Sequence, residues 1–85
     1  MYKLLSFVAR GKNRSKVLNS LDSVQTPTEI SKRLKIQRST VSRTISELKE
    51  KGLVKCLTPQ EKMGRLYTLS SSGKKICEIL RKGMR

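Results

Sequence analysis

The chain has no histidine and no tryptophan, and only 6 of its 85 residues are acidic. Histidine is the commonest general base and a frequent metal ligand, so its absence removes the usual means of acid–base catalysis. No nucleophile–base pair or pair of carboxylates stands out either, which predicts a protein that is not an enzyme and needs no cofactor. One Phe and two Tyr give no obvious stacking platform for single-stranded nucleic acid.

Long apolar runs and clustered cysteines are also missing. No run approaches the roughly 20 residues that cross a bilayer, and the apolar N-terminus is too short for a signal peptide. We therefore expect an intracellular protein with no membrane contact. Cys56 and Cys77 lack C-x-x-C spacing, so no metal site is predicted. We interpret both thiols as small, partly buried hydrophobic side chains, with a disulfide as the open alternative.

Positive charge is what the sequence has in excess. With 20 Lys and Arg, the formal net charge is +14, and such a field favours a polyanionic partner. Nucleic acid is the first expectation and an anionic membrane surface the second, but charge alone does not separate DNA from RNA. The length indicates one domain. We predict a single domain over 1–85, with a core at about 13–80 and a packing or dimerisation element at 1–11.

Hydrophobic spacing and turn residues predict the order of elements. Residues 2–10 fit a helix or a strand equally well. Thr26 and Glu29 form the capping-box pattern of a helix start, and Gly52 marks a helix end. The predicted elements are a helix at about 14–23 capped by Asn13, a short helix after Thr26, a turn at 35–37, a helix at about 38–51, strands at 53–57 and 65–69, and a helix at about 73–82 capped by Ser71 or Ser72.

Two helices joined by a tight turn and followed by a hairpin are typical of a DNA-binding fold. In that arrangement the second helix enters the major groove and the hairpin forms a wing. The predicted fold class is therefore α+β and mostly helical: a winged helix-turn-helix with a three-helix core, a β-hairpin wing and a C-terminal helix. Apolar residues in both terminal segments predict that these segments pack together, within one chain or between two.

The predicted helix at 38–51 carries small polar side chains and arginine opposite its buried stripe, which is centred on Val41. Small side chains let a helix approach base edges closely, and Arg can bind guanine while Gln binds adenine. Four Ser and Thr residues between 39 and 44 suggest a role beyond stability, because both are mediocre helix formers. An ordinary solvated face is the alternative. The predicted base-contacting residues are Gln37, Arg38, Ser39, Thr40, Ser42, Arg43 and Ser46.

Charges around this helix are predicted to hold the DNA backbone. The loop 58–64 suggests a wing tip near phosphate or in the minor groove, although a solvated turn is an alternative. Glu61 at the tip argues against tight phosphate packing, and Glu47 and Glu50 indicate that the C-terminal half of the helix points out of the groove. The predicted backbone and wing contacts are Lys12, Arg14, Thr26, Thr28, Lys32, Lys35, Lys62 and Arg65.

Several motifs in this order resemble a known family. They are Thr26-Pro27-Thr28-Glu29-Ile30-Ser31, Ser39-Thr40-Val41-Ser42-Arg43, Leu48-Lys49-Glu50-Lys51-Gly52-Leu53-Val54 and Arg65-Leu66-Tyr67-Thr68-Leu69-Ser70. From about residue 13 to 80 the chain resembles winged helix-turn-helix regulators, nearest to small MarR/ArsR-like transcriptional regulators of archaea and bacteria. The resemblance implies double-stranded DNA binding through the helix at 38–51, wing contacts from 58–65, and frequent homodimers.

The chain departs from this family in two ways. It lacks the long flanking dimerisation helices of larger MarR proteins, and it lacks the Cys/His ligand set of metal-sensing ArsR proteins. No small-molecule effector is evident. The function predicted is a double-stranded DNA-binding transcriptional regulator in the cytoplasm, associated with the nucleoid. A non-specific architectural DNA-binding protein and an RNA- or protein-interaction module are the alternatives.

Overall fold

Five helices and one short hairpin make up residues 2–82, the part of the chain that the computed structural model describes apart from the Tyr2 side chain. Met1 and residues 83–85, which the predicted domain includes, lie outside the described residues. The elements are α1 (Tyr2–Arg10), α2 (Lys12–Ser20), α3 (Pro27–Leu34), α4 (Arg38–Glu50), β1 (Val54–Cys56), β2 (Tyr67–Leu69) and α5 (Ser71–Arg81). This order confirms the predicted α+β winged helix-turn-helix.

The predicted apolar stripes of α2, α3 and α4 meet in one core. Each stripe follows the helical period, so its side chains leave water together when the helices pack. Contacts between α2 and α4 and between α3 and α4 join the three helices around this core. The fully or almost fully buried members are Val17, Leu18, Leu21, Ile30, Val41, Ile45 and Leu48.

The ambiguous N-terminal segment is the helix α1, and Gly11 separates it from α2. Val8 is completely buried, and Leu4, Leu5 and Phe7 pack against the core from their half-buried positions. Because α1 contacts both α2 and α5, the two terminal segments pack together within one chain.

The bounds predicted for α2 are wrong at both ends. Extended Gly11 is its N-cap, so the helix begins before Asn13 and the Asn13 side chain makes no cap. At the other end, the Leu21 amide bonds to the Leu18 carbonyl at 3.1 Å, which tightens and closes the last turn. The Gln25 side-chain amide also donates to the Ser20 carbonyl, so the helix ends at Ser20 rather than at residue 23.

The predicted capping box of α3 is present with both of its hydrogen bonds. The Thr26 hydroxyl oxygen accepts from the Glu29 amide at 3.2 Å, and the Glu29 carboxylate accepts from the Thr26 amide at 2.8 Å. Pro27 occupies the first helical position, where no amide hydrogen is needed. Left-handed Lys35 ends the helix, with φ of 57°, and leads into the turn before α4.

We expect Thr26→Ala to lower the free energy of unfolding by about 1 kcal/mol, since the Glu29 amide then loses its partner. For a domain of this size that corresponds to a fall in Tm of about 4–8 °C. Thr28→Ala is the matched control, because Thr28 is exposed in the same helix and makes no capping bond. Thermal unfolding followed by circular dichroism should separate the two variants; equal melting temperatures would contradict the role given to the capping box.

Strands β1 and β2 form an antiparallel pair in which Val54 lies opposite Leu69 and Cys56 opposite Tyr67. Both are shorter than predicted: residues 57, 65 and 66 belong to the wing loop, and Leu53 belongs to the turn after α4, where its amide donates to the Leu48 carbonyl. Tyr67 also exchanges two backbone hydrogen bonds with Gln25, at 2.9 and 3.1 Å. The link between α2 and α3 thereby lies along the outer edge of the hairpin, which fixes the wing relative to α3.

Helix α5 begins two residues earlier than predicted, and neither Ser71 nor Ser72 is its N-cap. The cap is Ser70, whose hydroxyl oxygen accepts from the Gly73 amide at 3.1 Å and donates to the Gly52 carbonyl at 2.6 Å. The bond to Gly52 explains why Ser70 is the cap: this serine lies next to the end of α4. A contact 18 residues away in the chain is not visible in local sequence spacing.

Cys56 and Cys77 are free thiols, half-buried and buried respectively. Burial raises the pKa of the Cys77 thiol, whose hydrogen-bond partner is the Leu18 carbonyl at 3.8 Å.

We expect a thiol reagent near neutral pH to modify Cys56 well before Cys77, because modification requires an exposed thiolate. Mass spectrometry of time-quenched samples measures the order, and Cys56→Ser reports the Cys77 rate alone. Equal rates in the native protein would contradict this burial.

Candidate nucleic-acid interface

A groove of about 300 Å³ opens between α4, the start of α3 and the wing loop. It is formed by three elements that are far apart in sequence and are held together by the core and by the Gln25–Tyr67 pairing. Its lining residues are Pro27, Thr28, Arg38, Ser42, Ile45, Ser46, Lys62, Met63, Gly64, Arg65 and Tyr67. Three of these are cationic and none is acidic, so the groove presents positive charge with hydroxyl groups between.

One flank of α4 forms the longest wall of this groove. Arg38, Ser42 and Ser46 follow one another at intervals of four residues and therefore lie in a row along the helix. All three side chains are exposed. The row begins with a guanidinium group at the helix N-terminus and continues with small hydroxyl groups, which leaves room for a partner to approach the helix backbone.

The wing loop forms the opposite wall and is organised by its own hydrogen bonds. The Thr58 hydroxyl oxygen accepts from the Leu66 amide at 3.0 Å, and the Arg65 Nε donates to the Glu61 carbonyl. These bonds hold Arg65 beside the groove while its two terminal nitrogens remain available. Glu61 is exposed but does not line the groove.

Met63 at the wing tip is a lining residue that sequence reasoning missed. Its side chain is 81% exposed, more than any other large hydrophobic residue of the described part. A methionine inside a polar loop carries no periodic signal, so the predicted wing tip at 58–64 gave this residue no role. Its exposure provides an apolar contact at the tip, between two cationic side chains.

The remaining predicted base-contacting residues lie on α4 or at its start, outside the groove lining. Gln37 is the N-cap and its side chain makes no capping bond. Ser39 and Arg43 are exposed and Thr40 is half-buried. Ser39 and Arg43 thus lie on the exposed face of α4 that adjoins the groove, whereas Thr40 lies at the far edge of that face.

Thr44 does not belong to that exposed face. It is 5% exposed, and its hydroxyl donates to the Thr40 carbonyl at 2.8 Å. The presence of this threonine in α4 is explained by packing and by a backbone hydrogen bond. The functional interpretation of the Ser/Thr run therefore applies to residues 39–42 and not to Thr44.

Apart from Arg14, the predicted backbone contacts lie in four places. Thr28, Lys62 and Arg65 line the groove, whereas Lys32 and Lys35 are exposed on α3 and at its C-cap. Lys12 is exposed at the first position of α2. Thr26 is committed to the α3 cap, although its hydroxyl hydrogen remains free to donate.

Arg14 was predicted to contact the DNA backbone, but its side chain makes several contacts within the domain. Its Nη1 donates to the Phe7 carbonyl at 2.9 Å, and its guanidinium carbon lies 3.9 Å from the centre of the Phe7 ring. Its Nη2 is 3.6 Å from a Glu47 carboxylate oxygen. These contacts tie α1, α2 and α4 together, and they place Arg14 outside the groove lining.

The described part of the chain contains no group of three or more His, Cys, Asp or Glu side chains arranged to hold a metal ion. Between residues 2 and 82, no helix combines the length and apolar character that crossing a membrane requires.

The three-helix core, the hairpin wing and the groove between them define a MarR-like winged helix-turn-helix domain. The sequence profile of one family, the HVO_A0261 N-terminal domain, matches residues 3–83. The chain belongs to this family. No curated protein sequence matches the chain.

Solved MarR structures are similar to this chain in fold. The reduced form of MarR from E. coli has a TM-score of 0.78 and 30% sequence identity, over 94% of this chain and 61% of that one. A mutant MarR from E. coli complexed with operator DNA has a TM-score of 0.76 and 32% identity, over 92% of this chain and 58% of that one. These matches confirm the resemblance to MarR-like regulators.

A third solved structure is similar in fold alone. The PcaV transcriptional regulator from Streptomyces coelicolor, in complex with its natural ligand, has a TM-score of 0.74 at 24% identity, over 85% of this chain and 53% of that one. The chain thus spans only 53–61% of the length of these three structures. The solved neighbours are transcription regulators rather than enzymes.

Proposed function

We propose that this protein is a transcriptional regulator that binds double-stranded DNA. Helix α4 enters the major groove, and the wing loop contacts the backbone or the minor groove. The observation that carries this proposal is the groove itself, where the row Arg38, Ser42 and Ser46 faces the cationic wing across a surface without acidic lining residues. Phosphates match the charged wall, and base edges match the small hydroxyl groups of the helix.

Distinct groups of residues take distinct roles in this proposal. Base contacts come from the N-terminal half of α4: Gln37, Arg38, Ser39, Thr40, Ser42, Arg43 and Ser46. Backbone contacts come from Thr28, Lys62 and Arg65 in the groove, from Thr26, Lys32 and Lys35 in and at the ends of α3, and from Lys12 at the start of α2. Arg14 supports the interface by holding α1 and α4 together. The proposed role is non-enzymatic, uses no cofactor, and is exerted by residues 1–85 as one domain in the cytoplasm.

The charges of α4 support the proposed direction of insertion. Its N-terminal half carries Arg38 and Arg43, whereas Glu47 and Glu50 stand in its C-terminal half. The positive end of the helix macrodipole is also at the N-terminus. Phosphates therefore favour the N-terminal half. A relative of known structure supports the same partner, since the 32%-identical MarR structure is a complex with operator DNA.

Selection of bound duplexes from a random pool at physiological salt tests the proposal. We expect enrichment of a defined sequence, with two-fold symmetry if the protein binds as a dimer. A parallel selection with Arg38→Ala and Ser42→Ala combined should lose that enrichment. Binding of all duplexes without enrichment would contradict a sequence-specific regulator.

A non-specific architectural role is the second candidate, because much of the positive charge lies away from the groove. On α5 and at its C-cap, for example, Lys74, Lys75 and Lys82 are all exposed. A salt titration on the selected duplex and on random duplex separates the two roles. Equal affinities with a steep salt dependence favour the architectural role, since backbone neutralisation alone then accounts for binding.

We further propose that the protein forms a two-fold dimer. The half-buried apolar side chains of the terminal helices, Leu4, Leu5 and Leu80, pack against the core and leave part of their surface uncovered. A dimer would place two α4 helices about 34–36 Å apart on a palindromic site. Sedimentation equilibrium should show a dimer at micromolar concentration; a monomer at high micromolar concentration would contradict this arrangement.

A further inference from the structure

A second concentration of positive charge lies on the other side of α4, where α1, the start of α2 and the end of α4 meet. It surrounds an open pocket of about 500 Å³ lined by Lys3, Ser6, Phe7, Arg10, Arg14 and Lys51. We refer to these six residues as the basic pocket. Four of them are cationic and none is acidic, so the pocket concentrates like charges that repel one another in the unbound protein.

The Phe7 ring organises this charge. The Arg14 guanidinium carbon lies 3.9 Å and the Lys51 Nζ 5.3 Å from its centre, both within the range of cation–π attraction. The Arg14 hydrogen bond to the Phe7 carbonyl and its 3.6 Å ion pair with Glu47 fix the guanidinium further. Glu47 offsets one of the four charges and leaves an excess of three.

The basic pocket and the groove lie on opposite sides of α4. Lys51 follows Ser42 by nine positions, which at 100° per residue is close to half a turn around the helix and about 13 Å along its axis. The two lining sets share no residue. A duplex seated in the groove on the N-terminal half of α4 therefore does not face the basic pocket.

We propose that the basic pocket binds the phosphate backbone of a second duplex segment, so that the protein can bridge two stretches of DNA. This inference rests on the proposed DNA-binding function and adds a second, sequence-independent contact to it. None of the described lining side chains is fully buried, whereas a small anionic ligand would be largely enclosed by its site. Closely spaced phosphodiesters can pair with several rim cations at once and release their counterions.

A two-duplex capture assay tests this inference. One short duplex is immobilised, the protein is added, and retention of a second, fluorescent duplex is measured at physiological salt. The pocket variant combines Lys3→Gln, Arg10→Gln and Lys51→Gln, and it spares Arg14, which holds helices together. The control variant combines Lys55→Gln, Lys75→Gln and Lys82→Gln, which remove the same charge from exposed positions outside both surfaces. Circular dichroism verifies that both variants are folded.

We expect both variants to bind the immobilised duplex equally, whereas the pocket variant retains about tenfold less of the second duplex than the control. Equal retention by the two variants would overturn the bridging role. A selective loss of first-duplex binding by the pocket variant would also overturn it, because the pocket would then serve the same duplex as α4. Binding of one duplex but not two by the unaltered protein overturns this inference alone, while binding of none overturns the proposed function.

Discussion

Replacing Gly73 with alanine is expected to destabilise the fold by about 3 kcal/mol or more, at the upper end of what overpacking costs. A Cβ at this position would lie 2.0 Å from the Leu53 carbonyl oxygen and 3.3 Å from a Leu69 methyl group. The obstructing oxygen belongs to the backbone and accepts the Ser70 amide at 3.0 Å. It cannot move aside without breaking the contact that seats α5 against the hairpin.

The opposing effects at Gly73 are smaller than this clash. Alanine improves helix propensity by about 1 kcal/mol relative to glycine, which offsets only part of the cost. The expected loss is a large share of a total stability of about 5–15 kcal/mol. Denaturant unfolding of the purified variant gives the change directly.

Gly64→Ala provides the comparison for this prediction. Gly64 has a left-handed backbone, with φ of +65°, but nothing lies within 4 Å of its missing Cβ. Its replacement should cost about 1–2 kcal/mol, the strain of a left-handed backbone. A Gly73 variant that is as stable as the Gly64 variant would show that α5 can shift away from Leu53.

Features that depend on nearby residues were predictable from the sequence. The capping box needs only Thr26 and Glu29 three positions apart, and the stripe of α4 needs only the helical period. Both are therefore present as predicted. By contrast, Ser70 is selected as the α5 cap by the distant Gly52 carbonyl. The choice among three consecutive serines could not be made from local spacing.

In the candidate site, too, local features were predictable and features that depend on distant residues were not. The order of helix, turn, helix and hairpin was enough to predict the fold, the helix α4 as the candidate reading helix, and the wing. The groove, however, depends on the pairing of Gln25 with Tyr67, which positions the hairpin against α3. No sequence pattern indicated that pairing. Arg14 is the converse case: its charge suggested a backbone contact beside α4, but its contacts with the Phe7 ring and with Glu47 hold its guanidinium outside the groove.

If α4 reads base edges, Arg43→Ala should weaken binding to the preferred duplex by about 1–3 kcal/mol and relax the preference for it. Arg43 is exposed on the N-terminal half of α4, and neither of the ion pairs in the described part involves it. Its guanidinium is therefore free to make the paired hydrogen bonds that distinguish guanine. The loss should be greatest on the selected duplex and small on random duplex.

Two further substitutions make this prediction specific. Lys32→Ala should weaken binding to selected and random duplexes alike and lower the salt dependence by about one unit of slope, as expected for one phosphate contact. Lys75→Ala removes the same charge from the exposed face of α5 and should change both affinities little.

Fluorescence anisotropy with the two duplexes gives the ratio of the affinity for the selected duplex to that for random duplex, for each variant. That ratio should fall for Arg43→Ala alone, since only a base contact distinguishes the two sequences. An unchanged ratio would mean that Arg43 touches phosphate, and the reading surface of α4 would then be limited to its groove-facing row.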